Sequence, residues 1–342
     1  MELKDHIDTI LYPWQKKIWQ QLSCSSKNNR IAHALLLSGP VGLGKYQFSL
    51  AFKNALLCSE NNTGELACGE CRFCKIQHHP DFYEVTLEVD EKTGKQSSVI
   101  KIDQIRDLIE FTALHTHFGE AKVIIIHPAE AMNKNASNAL LKILEEPPQD
   151  TYFVLISHER HQLSATIKSR CQLVNFTLPE ITDSKNWLES QAVTNGVANL
   201  CLKLAYNAPL TAKILAESNY IEQHSKIIDN LLSISLKTED PMVIANSWLK
   251  IDSNLPLHAL YSCLSDVILL KNVPNCTEII NSSSLDQFQN IANTVSYTGL
   301  YVILDKIVNA KHQIQVNIAI LGIYEDILNL WQRLTIKVVQ QR

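Results

Sequence analysis

Apolar and polar residues alternate along this chain in two distinct textures. Up to about residue 178, apolar runs of strand length are separated by stretches with helical spacing. Ala34 to Leu37 is one such run and leads directly into a Gly-rich loop. Tyr46 to Leu57 then predicts a helix with Phe48, Ala51, Ala55 and the neighbouring leucines on its apolar side. Phe82 to Thr86, Lys122 to Ile126, Tyr152 to Ile156 and Leu173 to Phe176 predict four more strands. Helices are expected over Ile102 to Leu114, where Ile102, Ile105, Leu108 and Ile109 share a face, and over Ala136 to Leu144. The latter must end at Pro147-Pro148, because proline lacks the N–H and the space to continue a helix.

Strands and helices in alternation make an α/β fold with a parallel sheet between helices. Past Pro179 the strand-like runs stop and amphipathic helical patterns continue to the end. Ile227 to Ile234 is one; in Ile318 to Trp331, residues Ile318, Leu321, Tyr324, Ile327, Leu328 and Trp331 fall on one broad face. The expected organisation is an α/β domain over residues 1–178, a small all-α domain over 179–220 and a larger helical domain over 221–342.

Composition narrows the function. The chain has 342 residues, 46% of them hydrophobic and 19% charged, enough to bury more than one core. A formal net charge of −4 argues against strong DNA binding by the chain alone, because phosphate contacts need clustered Lys and Arg. There is no apolar run of membrane-spanning length, and the charged start MELKDHIDTILYPWQ lacks a signal-peptide core, so a soluble, cytoplasmic protein is expected.

Gly39-Pro40-Val41-Gly42-Leu43-Gly44-Lys45 matches the phosphate-loop pattern and stands between a strand and a helix, as that pattern requires. Gly39, Gly42, Gly44 and Lys45 are the candidate nucleotide-binding residues: the glycines let backbone N–H groups face a phosphate, and the lysine adds a compact positive charge. The bland alternative is a Gly-rich turn that binds nothing. Tyr46 follows where Ser or Thr would hold Mg²⁺, and a phenol on a rigid ring cannot take that place. The next acidic motif is also missing. The strand Val123 to Ile126 runs into His127-Pro128-Ala129-Glu130, with no carboxylate at the two positions where a working ATPase needs one. Glu130 comes too late and is expected to be a solvated surface residue.

Cysteine usage points to a metal. Four of the nine cysteines form Cys58-x9-Cys68-x2-Cys71-x2-Cys74, which can close a tetrahedral, structural Zn²⁺ shell. Free thiols and an iron–sulfur cluster are the lesser alternatives. His78 and His79 are expected to be bystanders, and Cys24, Cys171, Cys201, Cys263 and Cys276 to be isolated or buried thiols.

The phosphate loop, the four-cysteine insertion, the degenerate acidic strand, the string Asn138-Ala139-Leu140-Leu141-Lys142-Ile143-Leu144-Glu145-Glu146-Pro147-Pro148 and the string Ser169-Arg170-Cys171, in that order, resemble the bacterial clamp-loader AAA+ family. The resemblance is strong over residues 1–178; beyond that it is one of pattern, including Asn317 before the last helix. It implies a RecA-like AAA+ core, a helical lid and a C-terminal collar that joins a pentameric ring.

Motor subunits of that family, gamma and tau, keep Ser or Thr after the loop lysine and an Asp-Glu pair after the core strand. Tyr46 and His127-Pro128 depart from both, and Asn207-Ala208-Pro209-Leu210 lacks the nucleotide-sensing arginine expected nearby. These departures resemble the stationary delta-prime class, which implies that ATP is bound by neighbouring subunits and not hydrolysed here. The resemblance also implies that Arg170 is an arginine finger reaching a neighbour's γ-phosphate. Implied partners are gamma or tau, delta, and, through the complex, the β sliding clamp and primer-template DNA, within the DNA polymerase III holoenzyme, a DNA-directed DNA polymerase. Two alternatives remain: an ATP-hydrolysing gamma/tau-type motor, opposed by Tyr46 and His127, and a stand-alone zinc-containing nucleic-acid module, opposed by the acidic balance.

Overall fold

The structure is a computed structural model, described for residues 11–27, 30–60, 66–76, 78–90, 94, 96–118, 121–252, 254–274, 276–315 and 319–335. The chain divides into two compact units, one formed by residues 1–192 with 207–211 and the other by 193–206 with 212–342.

In the first unit, strands β1 (Ala34–Ser38), β2 (Phe82–Val85), β3 (Lys122–Ile126), β4 (Thr151–Ser157) and β5 (Gln172–Asn175) form one sheet in the order β2-β3-β4-β1-β5. Every neighbouring pair is parallel, with Ala34 beside Phe153 and Ile124 on that strand's other side. The central strands are apolar without a break because both sheet faces are covered. β1 and β3 are buried at all their positions. Period-two alternation sorts their side chains into two layers. Leu36, Ile124, Ile126, Phe153 and Leu155 join one core, while Leu35, Leu37, Ile125, Val154 and Ile156 join the other.

Six helices belong wholly to this unit: α1 (Lys16–Lys27), α2 (Lys45–Leu57), α3 (Ile102–Ala113), α4 (Lys134–Glu145), α5 (Ala165–Arg170) and α6 (Ile181–Ser190). Asn133 starts α4 by accepting the Ala136 N–H at 2.8 Å, and Ser164 starts α5 by accepting the Ile167 N–H at 3.3 Å. Helices α3 and α4 cover the first core layer through Ile105, Leu108, Leu140 and Leu144; α1 and α2 cover the second through Trp19, Leu22 and Phe48. The α/β fold expected from the alternation is therefore the one observed, and each predicted strand lies within one residue of its observed bounds.

The second unit is helical: α7 (Asn195–Leu204), α8 (Pro209–Glu217, whose first turn belongs to the first unit), α9 (Tyr220–Ser235), α10 (Pro241–Trp248), α11 (Asn254–Asn272), α12 (Leu285–Thr294), α13 (Tyr297–Gln315) and α14 (Ile320–Thr335). Its core includes Trp248, Phe288, Tyr324 and Trp331, all fully buried. The Trp331 indole N–H, shared between the Leu231 carbonyl and Ser235 Oγ at 3.0 Å each, ties α14 to α9. Ile318 and Asn317 lie outside the described residues; Leu321 to Trp331 follow the expected face of α14. Among the described residues no helix is long and apolar enough to cross a membrane.

Candidate functional site

The phosphate loop connects β1 to α2 as its spacing demands. Gly42 and Gly44 have φ of +82° and +76°, in the left-handed region. A Cβ at Gly42 would come within 2.2 Å of Thr211 Oγ1, and one at Gly44 within 2.6 Å of the Tyr12 ring. The segment expected to lack a sensing arginine thus lies against the loop, where the Leu210 N–H also donates to the Gly42 carbonyl at 3.1 Å.

The loop's polar groups are turned on the protein itself. Lys45 is buried, and its Nζ donates to the carbonyls of Gly39 at 2.5 Å and Pro40 at 2.6 Å. Burial pulls its pKa down to about 8, with Glu130 opposing. From the N-terminal side, the fully buried Gln15 donates Nε2 to the carbonyls of Leu43 and Gly44, both at 2.9 Å. Trp14 Nε1 donates to the Leu43 carbonyl at 3.0 Å, and its ring stacks on Tyr12 with centroids 5.0 Å apart and meets Trp187 edge-on at 5.2 Å.

Beside the loop, aromatic and imidazole rings stand where a working ATPase has its Mg²⁺ ligands. Tyr46 stacks on His127 with centroids 5.5 Å apart. Burial, with Glu84 adding to it, raises the Tyr46 phenol above its ordinary value. His127 Nε2 lies 3.1 Å from His158 Nε2. Burial pushes His158 down to about 4, helped by the positive charge of Lys45, and also lowers His127. Glu130 is not the solvated residue expected from the sequence. It is half-buried in the 3₁₀ turn Ala129–Ala131, and its Oε1 accepts the His158 N–H at 2.8 Å. One of its two carboxylate oxygens is thus bonded to the backbone at the neighbouring strand's end, because the turn after β3 aims it there, while Oε2 is buried without a hydrogen-bond partner.

Arg170 ends α5. Its Nη1 donates to the Thr166 carbonyl at 3.0 Å, its Nη2 donates to Glu145 Oε1 on α4, and its side chain is 31% exposed. Cys171 instead packs partly buried against the sheet's first core layer, and burial lifts its thiol to about 11. The Ser169-Arg170-Cys171 string therefore divides, its cation at the surface and its thiol inward.

The four clustered cysteines come together after α2, with all four Sγ atoms within 4.8 Å of one another. Cys58–Cys71 and Cys68–Cys74 are each 3.9 Å apart. A tetrahedron with metal–sulfur bonds of about 2.3 Å has sulfur–sulfur edges of about 3.8 Å, so the donor set fits a four-thiolate metal site. Backbone N–H groups point at the sulfurs, from Cys71 to Cys68 Sγ at 3.2 Å and from Cys74 to Cys71 Sγ at 3.4 Å. Bound there, a metal would fix the loop's fold and leave no open position for a substrate. His79 is outside the cluster: its Nδ1 accepts the Asp81 N–H at 3.2 Å and its ring meets Phe118 edge-on.

Several residues of this site were absent from the sequence-based expectations. Trp14 and Gln15 sit in the 3₁₀ turn Pro13–Gln15 that leads into α1, and only the run Tyr12-Pro13-Trp14 in the sequence draws attention to them. His158 follows β4 at the position neighbouring His127, a pairing visible only once the order β3-β4 is known.

A family model described as "DNA polymerase III, delta subunit" matches residues 14–180, and a second, "DNA polymerase III, delta subunit, C terminal", matches residues 218–333. The chain is 36% identical over 262 residues to "DNA polymerase III subunit delta'" of Pseudomonas aeruginosa, covering 75% of each chain. It is 31% identical to the protein of that name from Yersinia pestis and 28% identical to that from Escherichia coli, each over 93% of this chain and 92% of the relative. Among solved structures, a DNA polymerase III gamma subunit-related protein from Thermotoga maritima superposes with a TM-score of 0.45 at 19% identity, over 92% of this chain and 99% of its own. On the two family models and the identity to these relatives, the chain belongs to the family of DNA polymerase III delta′ subunits.

Proposed function

We propose that this protein is a stationary, non-hydrolysing subunit of a clamp-loader complex, working in the cytoplasm with gamma or tau subunits and delta in a pentameric ring that loads the β sliding clamp onto primed DNA. The observation that carries this is the stacked pair Tyr46 and His127, which fills the positions of the metal ligands beside the phosphate loop. Lys45 donates to the loop's carbonyls, Tyr46 stacks on His127, and Glu130 accepts from the His158 backbone. Tyr46 and His127 stand at the positions where a Ser or Thr hydroxyl and a carboxylate would hold Mg²⁺ beside a γ-phosphate, and neither can take that role.

Its contribution to chemistry is then Arg170, placed on the surface at the end of a short helix and offered to ATP bound by a neighbour. A planar guanidinium supplied in trans stabilises charge on the transferring phosphoryl group. Residues 1–178 would form the AAA+ core, 179–220 the lid and 221–342 the collar, and Cys58, Cys68, Cys71 and Cys74 would hold a structural zinc ion.

ATP hydrolysis by the reconstituted complex, stimulated by primed DNA and clamp, tests this with Arg170→Ala. A loss of turnover of about 10³-fold or more at that one subunit interface, in complexes that assemble normally, is expected. Hydrolysis by the isolated wild-type chain would overturn the proposal in favour of a gamma/tau-type motor.

A further inference from the structure

Arg170 is not loose on the surface. Three acceptors from two helices orient its guanidinium: the Glu145 carboxylate from the end of α4, the Thr166 carbonyl one turn back on α5, and Ser169 Oγ at 3.5 Å. The two helices are fixed to each other from below. Ile167 of α5 and Leu144 of α4 are both buried in the same core layer, and Ser164 caps the start of α5. Glu145 and Arg170 therefore face each other because the packing of α4 and α5 puts them there.

We propose that Glu145 is a positioning residue for Arg170, a parking acceptor that holds the guanidinium until a polyphosphate is presented to it. The inference rests on Arg170 acting in trans.

Charge and exposure support it. The side chains of Arg170 and Glu145 are 31% and 50% exposed, so their attraction is screened by water and salt and is easily exchanged. A triphosphate carries several negative charges and accepts bidentate guanidinium bonds, so it outcompetes a single half-exposed carboxylate. The same carboxylate repels phosphate oxygens at close range. Full engagement of a neighbour's nucleotide therefore requires the pair to part, and the subunit alone presents a neutralised pair in place of a bare cation. Glu145 thus makes finger insertion conditional on a bound nucleotide.

Two measurements test this separately from the role of Arg170. In the isolated chain, modification of arginines by phenylglyoxal is followed residue by residue with peptide mass spectrometry. Arg170 should react about twofold to fivefold faster in Glu145→Gln than in wild type, a gap that closes at high salt, whereas the exposed Arg160 should react equally in both. Equal rates at Arg170 would show that no parking occurs. In the reconstituted complex, Glu145→Gln should raise turnover without DNA by about twofold to fivefold at saturating ATP, and the double variant with Arg170→Ala should match Arg170→Ala alone. Unchanged or lower turnover in a normally assembled Glu145→Gln complex would overturn the gating role. If Arg170→Ala itself leaves turnover intact, the finger and the gate fall together, and the modification rates then describe only a local ion pair.

Discussion

The Nε2 atoms of His127 and His158 lie 3.1 Å apart, so a single proton can sit between the two rings and a second would set two N–H groups head to head. Both groups are held below the ordinary histidine range, His158 at about 4. The unfolded chain therefore binds more protons than the folded one as pH drops below about 6.5, and stability present above that value is lost between about 6.5 and 4. His224 in the second unit is lowered in the same direction, so the comparison must be made against a variant. Urea unfolding at about pH 7.5 and about pH 5, on the order of one unit either side of a free histidine, should show a smaller pH-dependent loss in His158→Gln than in wild type. An identical loss in both would sink the claim.

Lys45→Ala separates a structural lysine from a nucleotide-binding one. The lysine's contacts are the carbonyls of Gly39 and Pro40, so its removal should cost stability of about 1–3 kcal/mol, seen as a lower melting temperature. Turnover of the reconstituted complex should stay within about twofold of wild type, given that this site lacks the metal ligands for hydrolysis. A collapse of turnover in complexes that still assemble would mean that nucleotide held at this loop matters.

The four-thiol cluster predicts about one zinc ion per chain in metal analysis of protein purified without chelator. Cys71→Ser should lower the bound metal by about tenfold and the melting temperature with it, since a closed shell contributes directly to folding. In wild type, a strong chelator should expose thiols to a colorimetric reagent. Metal-free wild-type protein with the same melting temperature would show the cluster to be four ordinary thiols.

Asp266 carries the fourth prediction. It is buried in α11, and its two oxygens accept the N–H groups of Ile280 and Asn281, each at 2.8 Å, and Asn281 Nδ2 at 2.7 Å. Burial raises its pKa, opposed by those hydrogen bonds. Asp266→Ala leaves three donors without their acceptor and should destabilise the chain by about 2–4 kcal/mol in urea unfolding. A change below about 0.5 kcal/mol would mean that water replaces the carboxylate at no cost.

What could be read from the residues follows a physical line. Strands β1, β3 and β4 announce themselves because both sheet faces are covered, which forces continuous apolar runs; the cysteine spacing announces a metal because the ligands are local in sequence. Helix α1 was not anticipated, since its polar positions outnumber its few anchors, Trp19 and Leu22 among them. The sequence does not show that Glu130 is half-buried, because a carboxylate's exposure depends on what the next strand brings beside it, here the His158 N–H. Glu145 stands in a string that identified the family, yet its pairing with Arg170, 25 residues away, exists only after α4 and α5 pack. Long-range pairs of polar residues leave no periodic trace.

Helix α2 begins at Lys45 and ends at Leu57, so its 13 residues span about 20 Å, with the phosphate loop at one end and Cys58 as the C-terminal cap at the other. Most helices fray at their last turn, where the carbonyls have no partners of their own. A metal-bound Cys58 would clamp that turn and make the helix a strut fixed at both ends. Oxidation of the thiols would then be felt first as fraying of α2 from Leu57 back toward Phe52, with the loop end still held by Gln15, and amide exchange would travel along the helix in that direction.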